Sequence, residues 1–259
     1  MKRFYITGDT HGNFTRLFKF HNRQLDSPPK EIAFIILGDC GFNSGIIKRD
    51  NRVKEEVNSL GYSIYCLRGN HEMRPSDVMG MKRAWDPAVQ GIVWQEDDYP
   101  NIKYFQDVGI YYIKTDKREY RTLCLGGAYS VDKYYRLTNN LPWWPNEQLT
   151  ELEMKEAENL ITQTSQYFDF VLAHTCPMSM RPTDRFLPII DQSTVDNTME
   201  EWLEKLQKTI HFNAMCCGHY HVDRIVSRHK YLYFNCIDLL DDVYNWSNKL
   251  GEISNIDRA

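Results

Sequence analysis

Eight side chains able to hold a metal or move a proton recur after separate apolar runs of the chain. They are Asp9, His11, Asp39, Asn70, His71, His174, His219 and His221. Five of the eight histidines of the sequence fall in this set. A single histidine at a strand end is most often structural, but five of them with two aspartates and an asparagine require another reason. Imidazole nitrogen together with carboxylate and amide oxygen suits Zn, Fe or Mn better than Ca, and needs no thiolate. The number of donors is sufficient for two ions. Asp9 and His11 are two positions apart, as are His219 and His221. In extended backbone such pairs point to one side, so each pair is expected to face one cluster.

The elements that must position these residues are legible as periodic apolar segments. Residues 2–7 read as a strand ending at Gly8-Asp9-Thr10-His11-Gly12, followed by a helix with Phe14, Leu17, Phe18 and His21 on one face. Ser27-Pro28-Pro29 breaks that helix. Ile32 to Leu37 is a second strand, ending at Gly38-Asp39-Cys40-Gly41, and a helix carrying Val53, Val57 and Leu60 follows. A third strand, 62–67, runs into Arg68-Gly69-Asn70-His71-Glu72. Asp9 and Asp39 are 30 residues apart, and Asp39 and Asn70 are 31 apart, about one βα unit each time. Repeated units of this length imply parallel strands joined by right-handed crossovers. Their polar loops then gather at the carboxyl ends of the strands, where such sheets bind ligands.

Residues 73–108 are less regular and read as an excursion that walls the site. Residues 110–113 and 122–125 read as a hairpin, leading into Gly126-Gly127-Ala128. Pro145 and Asn146 mark the expected start of a long helix with Leu149, Leu152, Leu160 and Ile161 on its apolar face. Phe170 to Ala173 is a strand that delivers His174. Val195, Met199, Trp202, Leu203, Leu206 and Ile210 give a second amphipathic helix. Phe212 to Cys217 delivers Gly218-His219-Tyr220-His221, and two strands near 224–228 and 231–235 follow. Polar motifs spread from position 9 to 221, so residues 1–259 are read as one domain.

Bulk properties narrow the classes. The chain has 259 residues, 42% hydrophobic and 25% charged, as in a globular domain with a sizeable core. No apolar run approaches the ~18 residues of a membrane span, and Thr7-Gly8-Asp9 follows Met1 too soon for a signal peptide. A formal charge of −4 argues against bulk capture of nucleic acid. None of the seven cysteines shows Cys-x-x-Cys spacing, and Cys66, Cys124, Cys216, Cys217 and Cys236 lie in strand-like runs. Reduced thiols and a cytoplasmic location are expected.

Gly8-Asp9-Thr10-His11-Gly12, Gly38-Asp39, Gly69-Asn70-His71-Glu72, His174 and Gly218-His219-Tyr220-His221 resemble the five ordered motifs of the calcineurin-like metallophosphoesterases. The resemblance spans about residues 4–235. It implies an α/β fold in which two mixed β-sheets pack as a sandwich flanked by helices, four layers in all. It also implies that Asp9, His11 and His221 bind one divalent ion and that Asn70, His174 and His219 bind another, with Asp39 bridging. Manganese is the first expectation for both ions, with Fe, Zn or Ni as alternatives. Two such cations, roughly 3.5–4 Å apart, acidify a water held between them and stabilise charge on the attacking and leaving oxygens. His71 is then placed as the general acid for the leaving oxygen, and Glu72 as a residue that orients its neighbours.

One departure bears on substrate. The protein Ser/Thr phosphatases of the family continue the second motif as Val-Asp-Arg-Gly, whereas this chain reads Asp39-Cys40-Gly41-Phe42-Asn43. Their second Asp and phosphate-gripping Arg are therefore missing. Arg74, Lys133, Arg136 and Arg181 are the candidates to grip phosphate instead. Tyr129, in the run Gly126 to Arg136, is a candidate to contact substrate, and Trp143-Trp144 reads as packing. The expected partner is a phosphorylated small molecule or nucleotide. The alternatives are a phosphodiesterase or nuclease acting on cyclic nucleotides or short nucleic acid, a protein phosphatase, and a binding scaffold without catalysis. Oligomeric state is left open.

Overall fold

A computed structural model describes residues 2–23, 28–186, 188–249 and 254–258, so Ser27 of the expected helix breaker lies outside the described residues. The first half of the chain lays down strands β1 (Arg3–Thr7), β2 (Ile32–Ile36) and β3 (Ser63–Cys66), which pair in parallel in that order. Helices α1 (Thr15–Arg23) and α2 (Ile47–Asn58) cross between them. All five residues of β2, Ile-Ala-Phe-Ile-Ile, are buried, as expected of a parallel strand covered on both faces.

The segment expected to leave the sheet instead extends it. Strands β4 (Lys82–Asp86), β5 (Gly91–Gln95) and β6 (Ile102–Tyr104) continue from the free edge of β3, with β6 parallel to β3, β5 antiparallel to β6 and β4 antiparallel to β5. The expectation of a wall at 73–108 is corrected accordingly: no residue of 73–108 lines either hollow beside the histidine cluster. Alternation of buried and half-buried residues in β5 and β6 is the strand signal that the Pro and Gly breaks obscured.

The second sheet is built from β7 (Val108–Lys114), β8 (Glu119–Leu125), β9 (Tyr167–Ala173), β10 (His211–Cys217), β11 (Arg224–Ser227) and β12 (Lys230–Leu232). Between these strands come α3 (Lys133–Thr138), α4 (Glu151–Thr164) and α5 (Thr198–Leu206). The chain then adds β13 (Asp238–Leu239), α6 (Leu240–Lys249) and β14 (Ser254–Asp257). Among the described residues there are two mixed sheets of seven strands, ordered β13-β1-β2-β3-β6-β5-β4 and β14-β11-β12-β10-β9-β8-β7. Six α-helices among the described residues accompany them.

Three apolar layers hold the sheets and helices together. Phe4, Ile6, Ala33 and Ile35 of the first sheet meet Tyr120, Phe170, Leu172, Ala214 and Cys216 of the second. The outer face of the first sheet, through Phe34, Ile36, Ile64 and Cys66, packs on Phe14, Leu17, Val53 and Val57. The outer face of the second, through Leu123, Val171, Met215 and Cys217, packs on α4 and α5. The result is a four-layer sandwich, as the motifs implied. No helix among the described residues is long and apolar enough to cross a membrane.

Helix α4 starts later than Pro145-Asn146 indicated. Thr150 is its N-cap: its side chain accepts from the Glu153 amide, while Glu153 accepts from the Thr150 amide. This reciprocal capping box fixes the first turn. Its buried face is Met154, Ala157 and Ile161, and Leu152 faces solvent. Thr150→Ala is expected to cost about 1 kcal/mol, read as a lower urea midpoint with an unchanged slope. α3 and the elements after residue 235 gave no periodic signal. The seven cysteines are free, and Cys236 is half-buried outside the strands.

Candidate metal centre

The cluster forms where the carboxyl ends of β1, β2, β3, β9 and β10 converge. Asp9 and Asp39 are buried, at 1% and 2% exposed, as are Asn70 and His174. The Asp39 carboxylate is held by its Oδ1, which accepts from the His71 amide at 2.9 Å. Its Oδ2 lies 3.7 Å from His174 Nε2, 3.9 Å from His11 Nε2 and 4.0 Å from His71 Nε2. Asp9 is anchored in the same way, Oδ1 accepting from the His219 amide at 3.0 Å. Asp9 Oδ2 has no donor and lies 3.3 Å from His221 Nε2.

Backbone geometry departs from the expected extended pairs. His11, Asp39, His219 and His221 all have positive φ, between 46° and 68°. Each pair therefore converges through a left-handed turn. Such conformations cost about 1–3 kcal/mol each and concentrate at functional sites. Two glycines are forced by close approach. A Cβ on Gly38 would lie 2.1 Å from His174 Nδ1, and one on Gly69 would lie 1.9 Å from Asp39 Oδ1.

A chain of hydrogen bonds fixes the direction of the Asn70 amide. Glu147 accepts from the Ser130 hydroxyl at 2.5 Å, so Ser130 Oγ is left to accept from Asn70 Nδ2 at 2.9 Å. Asn70 Oδ1 then points at His174 Nε2, 2.9 Å away. His174 Nδ1 meets the Leu37 carbonyl at 2.7 Å, which places the proton on that nitrogen and a lone pair on Nε2. Two buried acceptors thus face each other with no proton between them. His11 Nε2 and His221 Nε2 meet similarly at 2.8 Å, beside the unpartnered Asp9 Oδ2.

Electrostatics suits neutral imidazoles. Burial pushes His11 down to about 4 and His219 down to about 3, and it lowers His174 as well. His221 is the exception, raised by the Asp9 carboxylate 3.3 Å away. Burial opposes the Asp9 charge, yet neighbouring His221 and the other nearby imidazoles hold its carboxyl below the usual range. Burial, then the Asp9 and Glu72 charges, raise Asp39 well above it. Neutral nitrogens and unpaired carboxylate oxygens are what a cation requires of its ligands. Asp9, His11 and His221 offer ligand atoms within 4.8 Å of one another, and so do Asp9, Asp39 and His174. The donor set fits divalent metal. His219 joins the cluster by packing its ring on His174, at 5.1 Å between centroids.

The other expected site residues are dispersed. Tyr129 and Arg181 line a cleft of about 380 Å³ that opens on Asp39, Asn70 and His71. Arg136 lines a second hollow of about 230 Å³, which shares Asp39 and His71 and includes Arg49. Lys133 sits over the Trp143 ring, 4.5 Å from its centroid. Arg74 is not brought to the cluster. Its guanidinium is committed to Glu153, Asp107 and the carbonyls of Asn146 and Gln148. Glu72 is buried and its Oε1 accepts from the Gly41 amide and the Tyr104 hydroxyl, which ties the β2 and β3 loops together. Trp143 donates to Glu147 at 2.8 Å and belongs to the support of Ser130.

Three residues escaped sequence reading. Asp132 Oδ1 lies 4.0 Å from His71 Nε2. Ser130 and Glu147 position Asn70. Ser130 and Asp132 lie within the run from Gly126 to Arg136, whose larger side chains carry the stronger sequence signal. Glu147 carries no sequence signal, since only folding brings it beneath Ser130.

Residues 2–223 match the family model of the calcineurin-like phosphoesterases, and the chain belongs to that family. It is therefore a phosphoesterase of a metal-dependent family, with a phosphorylated substrate. No curated protein matches it by sequence. Among solved structures, one crystal structure shares the fold with a TM-score of 0.52 at 10% identity, over 90% of this chain and 89% of its own. Phosphopantetheinyl hydrolase from Mycobacterium tuberculosis aligns with a TM-score of 0.46 at 11% identity, over 90% of this chain and 88% of its own.

Proposed function

We propose that the cluster holds two divalent ions, Mn²⁺ foremost, and hydrolyses phosphate esters of a small molecule or nucleotide. Asp9, His11 and His221 would hold one ion and Asn70, His174 and His219 the other, with Asp39 reaching both. The observation that carries this reading is the buried contact of two lone pairs, Asn70 Oδ1 on His174 Nε2. A contact of two acceptors is unfavourable until a cation occupies their common face. When bound, the ions neutralise phosphate charge and lower the pKa of the attacking water.

The remaining work falls to side chains. His71, tied to Asp39 through its amide, lines both hollows. In the protein alone, burial and then the Arg136 charge push His71 down to about 2, so its imidazole is neutral at pH 7. A bound phosphate anion opposes the Arg136 charge at His71, as does the Asp132 carboxylate 4.0 Å away. His71 then carries a proton to the leaving oxygen. Arg136, steadied by Asp132 at 2.8 Å, faces the same point from the smaller hollow. The centre draws on both sheets, so the chain is taken as one functional unit. Its free thiols suit a cytoplasmic setting.

Two hollows meeting at Asp39 and His71 also favour the phosphodiesterase alternative, because a diester has two substituents to seat. Side-by-side turnover of p-nitrophenyl phosphate and bis-p-nitrophenyl phosphate by Mn²⁺-loaded protein separates the two. Faster monoester cleavage supports a phosphatase, and faster diester cleavage supports the alternative. Chelator-insensitive turnover of both would overturn the metal reading. Ser130→Ala frees the Asn70 amide to rotate, and metal affinity is expected to fall about 10- to 100-fold, measured by chelator competition. Unchanged affinity would remove Asn70 from the ligand set.

A further inference from the structure

Of the histidines in the cluster, His221 is the one the protein holds least directly. The His174 ring is fixed through Nδ1 on the Leu37 carbonyl. Among the described residues only Nε2 of His221 meets a polar partner, and its side chain is 48% exposed. Histidines that ligate metals are normally oriented by an acceptor on the other ring nitrogen. The His221 ring instead lies against Phe234, at 4.8 Å between centroids and 22° between planes. Phe234 sits in a turn fixed from two sides. Asp223, two residues beyond His221, accepts from the amides of Phe234, Asn235 and Cys236 at 2.8 to 3.0 Å. From the other side Arg16, in the first turn of α1, donates through Nη1 to the Phe234 carbonyl and, at 3.3 Å, to Asn235 Oδ1. Its Nη2 donates to the carbonyls of Gly8 and Asp9, each at 2.6 Å. One guanidinium therefore joins the loop that carries Asp9 and His11 to the turn under His221.

We propose that Arg16 is a positioning residue for the ion taken by Asp9, His11 and His221, clamping the two segments so that His221 keeps its ligating orientation. This rests on the two-ion reading above. None of the hydrogen bonds or ring contacts of Arg16, Asp223 and Phe234 among the described residues reaches the side chain of Asn70, His174 or His219. The clamp therefore acts on one ion and not on the other. Guanidinium suits this task because its rigid planar fork donates in several fixed directions at once, which a single ammonium or amide does not. His11 and His221 both have positive φ, 47° and 51°, so neither loop rests in a backbone minimum of its own. Charge acts in the opposite sense, since a cation beside the centre repels a dication. Arg16 thus serves by its bonds and against its charge.

The test is calorimetric titration with Mn²⁺ of metal-stripped wild type, Arg16→Ala, His221→Ala and the double variant. Arg16→Ala is expected to weaken one of two ions about 10- to 100-fold and to leave the other at its wild-type affinity. Adding Arg16→Ala to His221→Ala is expected to cost nothing more. Phe234→Leu keeps every bond of Arg16 and removes only the flat face, and is expected to weaken the same ion; should Arg16→Ala not fold, Phe234→Leu takes its place under the same criteria. Unchanged affinities overturn the clamp, as does tighter binding, the sign that loss of the charge alone would give. An equal loss at both ions marks Arg16 as structural and overturns it too, and so does a further loss in the double variant. One ion per wild-type chain overturns the two-ion reading instead. The clamp then stands if Arg16→Ala weakens that ion and adds nothing to His221→Ala, and falls otherwise.

Discussion

Asp39→Asn is expected to lower phosphoester turnover at least ~10³-fold, the scale of losing a principal electrostatic element of a preorganised site. The substitution keeps the oxygen that accepts from the His71 amide and removes the charge that faces His11, His71 and His174. Retained metal should fall with it, as measured by elemental analysis after dialysis. Stability separates this effect from unfolding. Asp39 has a raised pKa when folded, from burial and then from the Asp9 and Glu72 charges. In metal-free protein its contribution is therefore fully present below its ordinary 3.8 and is lost as pH rises through the raised value. The Asn variant lacks that loss. Without metal at neutral pH it should melt no lower than wild type. Full activity and metal content in the variant would remove Asp39 from the centre.

The second large effect is at His71. His71→Asn is expected to reduce turnover of esters with poor leaving groups by about 10²- to 10⁴-fold, the usual range of general acid catalysis. Esters of p-nitrophenol, whose leaving oxygen needs no proton, should lose much less. Metal content should stay at the wild-type level, because His71 touches Asp39 through its backbone amide and not through its ring. A uniform loss across leaving groups would show that the ring orients the site and does not deliver a proton.

Much of the architecture was readable because its signals are local. Five apolar runs end in Asp9, Asp39, Asn70, His174 and His219, and the spacing of the first three set out parallel strands that the structure contains. The turn geometry was not readable in the same way. Asp9 and His11 meet through a residue at φ 47°, and nothing in the spacing of Gly8-Asp9-Thr10-His11-Gly12 separates that from an extended pair. The segment 73–108 was misread because its strands are short and interrupted, and edge pairing is a tertiary property. Arg74 illustrates the limit for charged residues. It is one of four basic candidates to grip phosphate in the sequence, and only the folded chain brings Glu153 and Asp107 to its guanidinium. Glu147 lay beyond sequence reading for the same reason.

The most direct test of a two-ion centre is equilibrium dialysis of metal-stripped protein against graded Mn²⁺, with bound metal and turnover measured on the same samples. Two ions per chain are expected, with turnover of p-nitrophenyl phosphate or its diester rising as the second site fills. Full turnover at one ion per chain, or turnover that persists with none bound, would contradict it.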